Sequence, residues 1–184
     1  MLCVLCVAGG LIFKEQGRNF MANVFSELSA KNATIKTNLG EIEIEFFAKK
    51  SPNIVKNFVS LSKAKKYDNT IFHRVIEGFM IQGGDFENND GTGGEAFLGG
   101  EIDDEIVPEL SHIRGIVSMA NHGRNTNGSQ FFIVQKDATF LDGKYSIFGK
   151  VTKGMEVVDA IASVKRDDND RPLSPVTIST IVVR

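Results

Sequence analysis

The segment Phe72 to Asp85 carries Arg74 and Gln82 on short apolar runs, with Phe79 and Met80 between them. A guanidinium beside apolar neighbours is costly to leave unpaired, because a charge taken out of water loses its hydration. Arginine keeps its proton and presents several N–H donors in a rigid fork. The chemistry open to such a residue is hydrogen-bond donation, not proton transfer. A second segment, Ser118 to Ile133, adds Ala120, Asn121, His122, Gln130 and Phe132. Neither segment offers an activated nucleophile. His73, His112 and His122 are too sparse and too different in setting to ligate a metal, so no metal and no cofactor is expected.

The elements that must position these side chains are mostly short strands. From Thr34 to Phe47 the chain reads as a β-hairpin, with a turn at Asn38 to Gly40. Ile42, Ile44 and Phe46 alternate with Glu41, Glu43 and Glu45, which puts the apolar set on one face and the glutamates in water. Ser51 and Pro52 open a helix as N-cap and first helical residue. Ile54, Val55, Phe58, Val59 and Leu61 give that helix one apolar face directed at a core. Further strands are expected over 71–75, 79–82, 115–119, 131–134 and 145–151, separated by Gly- and Asn-rich turns. A second helix is expected over 155–164. A closing strand follows over 175–183, with Val176, Ile178, Thr180 and Val182 pointing inward. The pattern alone reads as mainly β.

A chain of 184 residues fits one domain with a substantial core. Its 42% hydrophobic and 24% charged content is ordinary for a globular protein. A net charge of −2 gives no electrostatic footprint for nucleic acid or a membrane surface. Both cysteines, Cys3 and Cys6, lie at the extreme N-terminus, without the strand-to-helix setting of a redox pair or the further ligands of a zinc site. The apolar stretch Met1 to Phe13 is too short to span a bilayer and lacks the basic leader of a secretory signal. Residues 1–33 are read as an N-terminal extension: a disordered tail, a weak anchor, or translated sequence upstream of a start at Met21. Residues 34–184 are read as the domain, and the expected compartment is the cytoplasm.

Together, the segments Phe72 to Asp85 and Ser118 to Ile133 closely resemble those of the cyclophilins, the cyclosporin-binding peptidyl-prolyl cis-trans isomerases. The resemblance runs from about Thr34 to Arg184. It implies a closed eight-stranded antiparallel β-barrel capped by two α-helices, acting as a monomer. It also implies catalysis of rotation about X-Pro peptide bonds in unfolded or flexible polypeptides. By this resemblance Arg74 is the catalytic donor, and Gln82 bonds the substrate carbonyl and positions the arginine. Phe79, Met80, Phe132 and Leu141 line the proline pocket. Asn121 holds the peptide beyond the proline through its backbone, and Gly91, Ala120 and Gln130 shape a neighbouring pocket.

Three positions depart from the pattern. Phe140 stands where many members have tryptophan, so the indole donor is missing and reduced cyclosporin affinity is implied. Tyr145 replaces a histidine and keeps a hydroxyl near the pocket, while His122 replaces a small residue and narrows the groove. A module that only captures proline-containing partners would use the same pocket, and the presence of both Arg74 and Gln82 favours turnover. Elsewhere, Gly91 to Gly94 superficially suggests a phosphate loop but lacks the basic residue that would follow one. Asp103, Asp104 and Glu105 read as a solvated acidic loop, and His73 as a hydrogen-bonded structural histidine.

Overall fold

Strands β1 (Asn32–Thr37) and β2 (Gly40–Phe46) form the expected hairpin, with Ile35 facing Ile42 across the ladder and both fully buried. The glutamates of β2 meet lysines instead of bare solvent: Lys36 with Glu41, Lys153 with Glu43 and Lys150 with Glu45. The computed structural model describes residues 30–184. The expectations for Cys3, Cys6, Met1 to Phe13 and Met21 lie outside the described residues.

Helix α1 (Pro52–Lys63) follows, then the short strands β3 (Thr70–Ile71), β4 (Arg74–Ile76) and β5 (Met80–Gly83). Strands β6 (Ile116–Met119) and β7 (Phe131–Val134) lead to a 3-10 turn at Thr139–Leu141. Strand β8 (Ile147–Lys153), helix α2 (Met155–Ala162) and β9 (Thr177–Val183) complete the chain. All strands join one antiparallel sheet in the order β3-β9-β1-β2-β8-β6-β7-β5-β4.

The sheet has nine strands where eight were expected, because one extended run is split. Thr70–Ile71 pairs with β9, Arg74–Ile76 pairs with β5, and only Phe72 and His73 separate them. That run therefore serves both edges of the curled sheet, and closure comes from chain continuity instead of a hydrogen-bonded seam. Gly83 permits the close approach this requires, since a Cβ there would stand 2.8 Å from the carbonyl oxygen of Ile71.

Helix α1 buries Ile54, Val55, Phe58, Val59 and Leu61 completely. Each such side chain contributes roughly 1.5–3 kcal/mol. Phe58 is the centre of an aromatic cluster, with Tyr67 and Phe148 at 5.1 Å, Phe131 at 5.3 Å and Phe46 at 5.7 Å between ring centroids. Helix α2 ends at Ala162, two residues earlier than its pattern suggested, and packs through Val158, Ile161 and Ala162.

Two local expectations need correction. Ser51 occupies the N-cap position, but its hydroxyl donates to the carbonyl of Ile147 at 2.6 Å and makes no cap bond. The cap comes from Glu105, whose carboxylate accepts from the Asn53 amide at 3.1 Å and the Ile54 amide at 3.0 Å. A carboxylate suits a helix N-terminus, where unpaired N–H groups concentrate positive potential. The acidic loop is therefore structural: Asp104 likewise accepts from the Asn125 amide and the Asn127 side chain. In β9 the inward alternation changes phase. A bulge places Ile178 opposite Thr37 but Thr180 opposite Lys36, so Ile181 is buried and Val182 is exposed.

Candidate active site

The three strands β4, β5 and β7 are in register so that alternate residues form two rows. Val75, Ile81, Ile133 and, on β6, Val117 stand side by side and are completely buried in the barrel core. The complementary row reads Arg74, Gln82, Phe132 and Ser118 and faces away from that core. Strand periodicity thus converts two short apolar segments into one polar-and-aromatic stripe on the barrel wall.

Over this stripe lies a cavity of about 220 Å³ lined by Arg74, Phe79, Met80, Gln82, Ala120, Asn121, Phe132, Leu141 and Tyr145. Met80, Phe132 and Leu141 are nearly inaccessible and form its apolar floor. Tyr145 meets Phe132 edge-on at 5.6 Å. The Arg74 side chain is 45% exposed, not buried as its apolar setting suggested, and its Nε lies 3.7 Å from Oδ2 of Asp170. Gln82 faces Arg74 across the ladder, yet its amide donates to Gln130 Oε1 at 2.9 Å. Among the described residues, the charged partner of the arginine is Asp170.

A second cavity of about 560 Å³ adjoins the first and shares Gln82, Ala120 and Asn121 with it. Gly91, His122 and Gln130 line this one. Gln130 Nε2 donates to the carbonyls of Gly91 at 2.9 Å and Gly93 at 2.7 Å. His122 stands at the mouth, 3.0 Å from Glu101. Phe140 lines neither cavity; it is 63% exposed and stacks on Phe79.

A family profile described as cyclophilin type peptidyl-prolyl cis-trans isomerase/CLD matches residues 32–183. The chain belongs to the cyclophilin family. It is 46% identical over 153 residues to a peptidyl-prolyl cis-trans isomerase of Arabidopsis thaliana, covering 83% of this chain and 93% of that one. A Dictyostelium discoideum isomerase is 47% identical over 152 residues, covering 82% and 96%. Other relatives are longer: in one from Rhizopus delemar, 47% identical over 159 residues, the match is 86% of this chain and 25% of that one. The crystal structure of a Cryptosporidium parvum cyclophilin superposes with a TM-score of 0.81 at 43% identity, covering 84% of this chain and 98% of that one. The same protein, solved in the presence of the dipeptide Ala-Pro, gives 0.80 at 43% identity, covering 83% and 98%.

Several residues of this cyclophilin that shape the groove carry no local sequence signal. His112 is buried beneath Phe132, stacked at 5.9 Å, with Nδ1 2.7 Å from Asp142 and Nε2 3.2 Å from the Ser118 hydroxyl. Burial lowers the His112 pKa, and the hydrogen bond and charge of Asp142 offset this only in part. Asp85 organises the loop that ends at Gly93. One of its oxygens accepts from the amides of Glu87 and Asn88, the other from Asp90, Gly91 and Gly93. Burial opposes its ionisation, but the amides of Asn88, Gly93, Gly91 and Asp90 hold its pKa below the ordinary carboxylate value. The apparent phosphate loop is an anion nest filled by the chain's own carboxylate. His73 is also buried, yet neither ring nitrogen has a hydrogen-bond partner among the described residues, contrary to the expectation for it. No group of three His, Cys, Asp or Glu side chains among the described residues is arranged to hold a metal.

Proposed function

We propose that this cyclophilin catalyses cis-trans isomerisation of X-Pro peptide bonds through Arg74, acting as a monomer in the cytoplasm on unfolded or flexible polypeptides. Amide resonance sets a barrier of ~18–20 kcal/mol to rotation. Twisting the bond uncouples the nitrogen lone pair and makes that nitrogen pyramidal and basic. A donor aimed at it binds the twisted state better than either planar state, and only such differential binding lowers the barrier. The guanidinium needs no proton transfer for this, and a donor already in place costs little reorganisation.

The observation that carries the reading is the shared wall of Arg74, Gln82 and Phe132 over the apolar floor of Met80 and Leu141. At about 220 Å³ the cavity is below the ~300–1,000 Å³ of drug-sized sites and suits a single small ring. The relative studied with Ala-Pro supports a proline as that ring. No helix among the described residues is long and apolar enough to cross a membrane.

The test is protease-coupled isomerisation of a short X-Pro peptide by wild type and Arg74→Ala. The variant should fold normally and lose ~10²–10³ in rate, the usual effect of deleting a preorganised donor. Activity retained within about threefold in a folded variant, against that expected loss, would remove Arg74 from the role.

A further inference from the structure

We infer that Asp170 is the positioning residue for Arg74, holding the guanidinium at the proline pocket; this rests on Arg74 being the catalytic donor. Arg74 lines the proline pocket and also a third cavity, of about 410 Å³, bordered by His73, Asp90, Gly91, Asp167 and Arg171. A half-exposed arginine between two open spaces has room to swing from one to the other. Gln82, opposite it on the ladder, donates its Nε2 to Gln130 Oε1, and among the described residues no hydrogen bond joins its own Oε1 to Arg74. The tether is the Asp170 carboxylate, with Oδ2 3.7 Å from Arg74 Nε and Oδ1 3.4 Å from Arg166 Nε.

The turn that carries this carboxylate is itself fixed. The Asp170 carbonyl accepts from the Val75 amide at 2.8 Å, so the tether is anchored to the strand that carries Arg74. Its own amide donates to the Asp167 carbonyl at 3.1 Å, with Asp170 in the left-handed region at φ 63°. Asp167 Oδ1 accepts from the Asn169 and Arg171 amides and closes the turn. Pairing through Nε leaves the terminal nitrogens of the fork free to face the substrate.

Asp170→Asn removes the charge while keeping the shape, and asparagine tolerates a left-handed conformation. It should lower kcat/KM about two- to fivefold, the scale of an exposed ion pair. Melting temperature should be unchanged, and the NMR signal of Arg74 Nε–Hε should shift or broaden. Added salt should bring wild type down toward the variant and leave the variant unaffected. With Arg74→Ala as background, followed by NMR exchange on an X-Pro peptide, Asp170→Asn should have no further effect. Wild-type kcat/KM with an unshifted Arg74 signal would overturn the inference, as would an undiminished loss in the Arg74→Ala background. Full activity of Arg74→Ala alone would overturn the catalytic reading as well, which separates the two failures.

Discussion

Phe79 and Phe140 stack at 5.6 Å between ring centroids, inclined by 32°, along the rim of the cavity that Arg74 and Phe132 line. Phe79 is a wall of that pocket, and Phe140 extends the wall outward into solvent. The apolar surface that a tryptophan would supply is therefore kept, and its indole donor is not.

Phe140→Trp should therefore tighten cyclosporin binding and leave X-Pro turnover unchanged. A neutral hydrogen bond is worth ~0.5–1.5 kcal/mol, and an acceptor left unpaired costs ~1–3 kcal/mol. At ~1.4 kcal/mol per tenfold, the gain is roughly one to two orders of magnitude. Titration of the drug against both proteins decides it. A tryptophan variant that binds no more tightly would show that this position does not set drug sensitivity.

Acidification should destabilise the fold through its buried histidines. Desolvation lowers the pKa of His73, with Asp85 opposing it, and desolvation lowers that of His112, with Asp142 opposing it. The unfolded chain takes up these protons near pH ~6.5, while the folded state resists them. Stability is therefore full above that pH and declines as the pH falls toward the lower folded-state values. Urea unfolding should show this decline below about pH 6.5, and His73→Gln should flatten it. An equal slope in that variant would mean that His73 binds its proton as readily in the folded chain as in the unfolded one.

Helix α1 should depend on Glu105 for its N-terminus. Glu105→Ala removes the acceptor for the Asn53 and Ile54 amides and should cost ~1–2 kcal/mol in urea unfolding. Ser51→Ala should also destabilise, by leaving a hydrogen bond to Ile147 unmade, but without fraying the helix start. Amide hydrogen exchange at Asn53 and Ile54 distinguishes them: faster exchange in Ser51→Ala alone would return the capping role to Ser51.

What the residue order determined by itself is local and periodic. The alternation in β2, the apolar face of α1 and the strands around Arg74 and Gln82 are all legible, because each follows from side-chain spacing along one element. The two segments also mark the groove, since register on adjacent strands aligns Arg74, Gln82 and Phe132 once those strands pair. Tertiary structure alone decided the partners that come from distant chain. Asp170 reaches Arg74 from a turn beyond α2, Glu105 caps α1 from a loop after β5, and Asp142 holds His112 beneath Phe132. A carboxylate can satisfy any nearby donor, so its sequence neighbours say nothing of which one it will meet. The same holds for closure and for the phase of β9: Phe72 and His73 split one run between two edges, and a bulge at Lys36 and Thr37 turns Ile181 inward. Both arise from fitting a twisted sheet around a packed core, a constraint that no single segment contains.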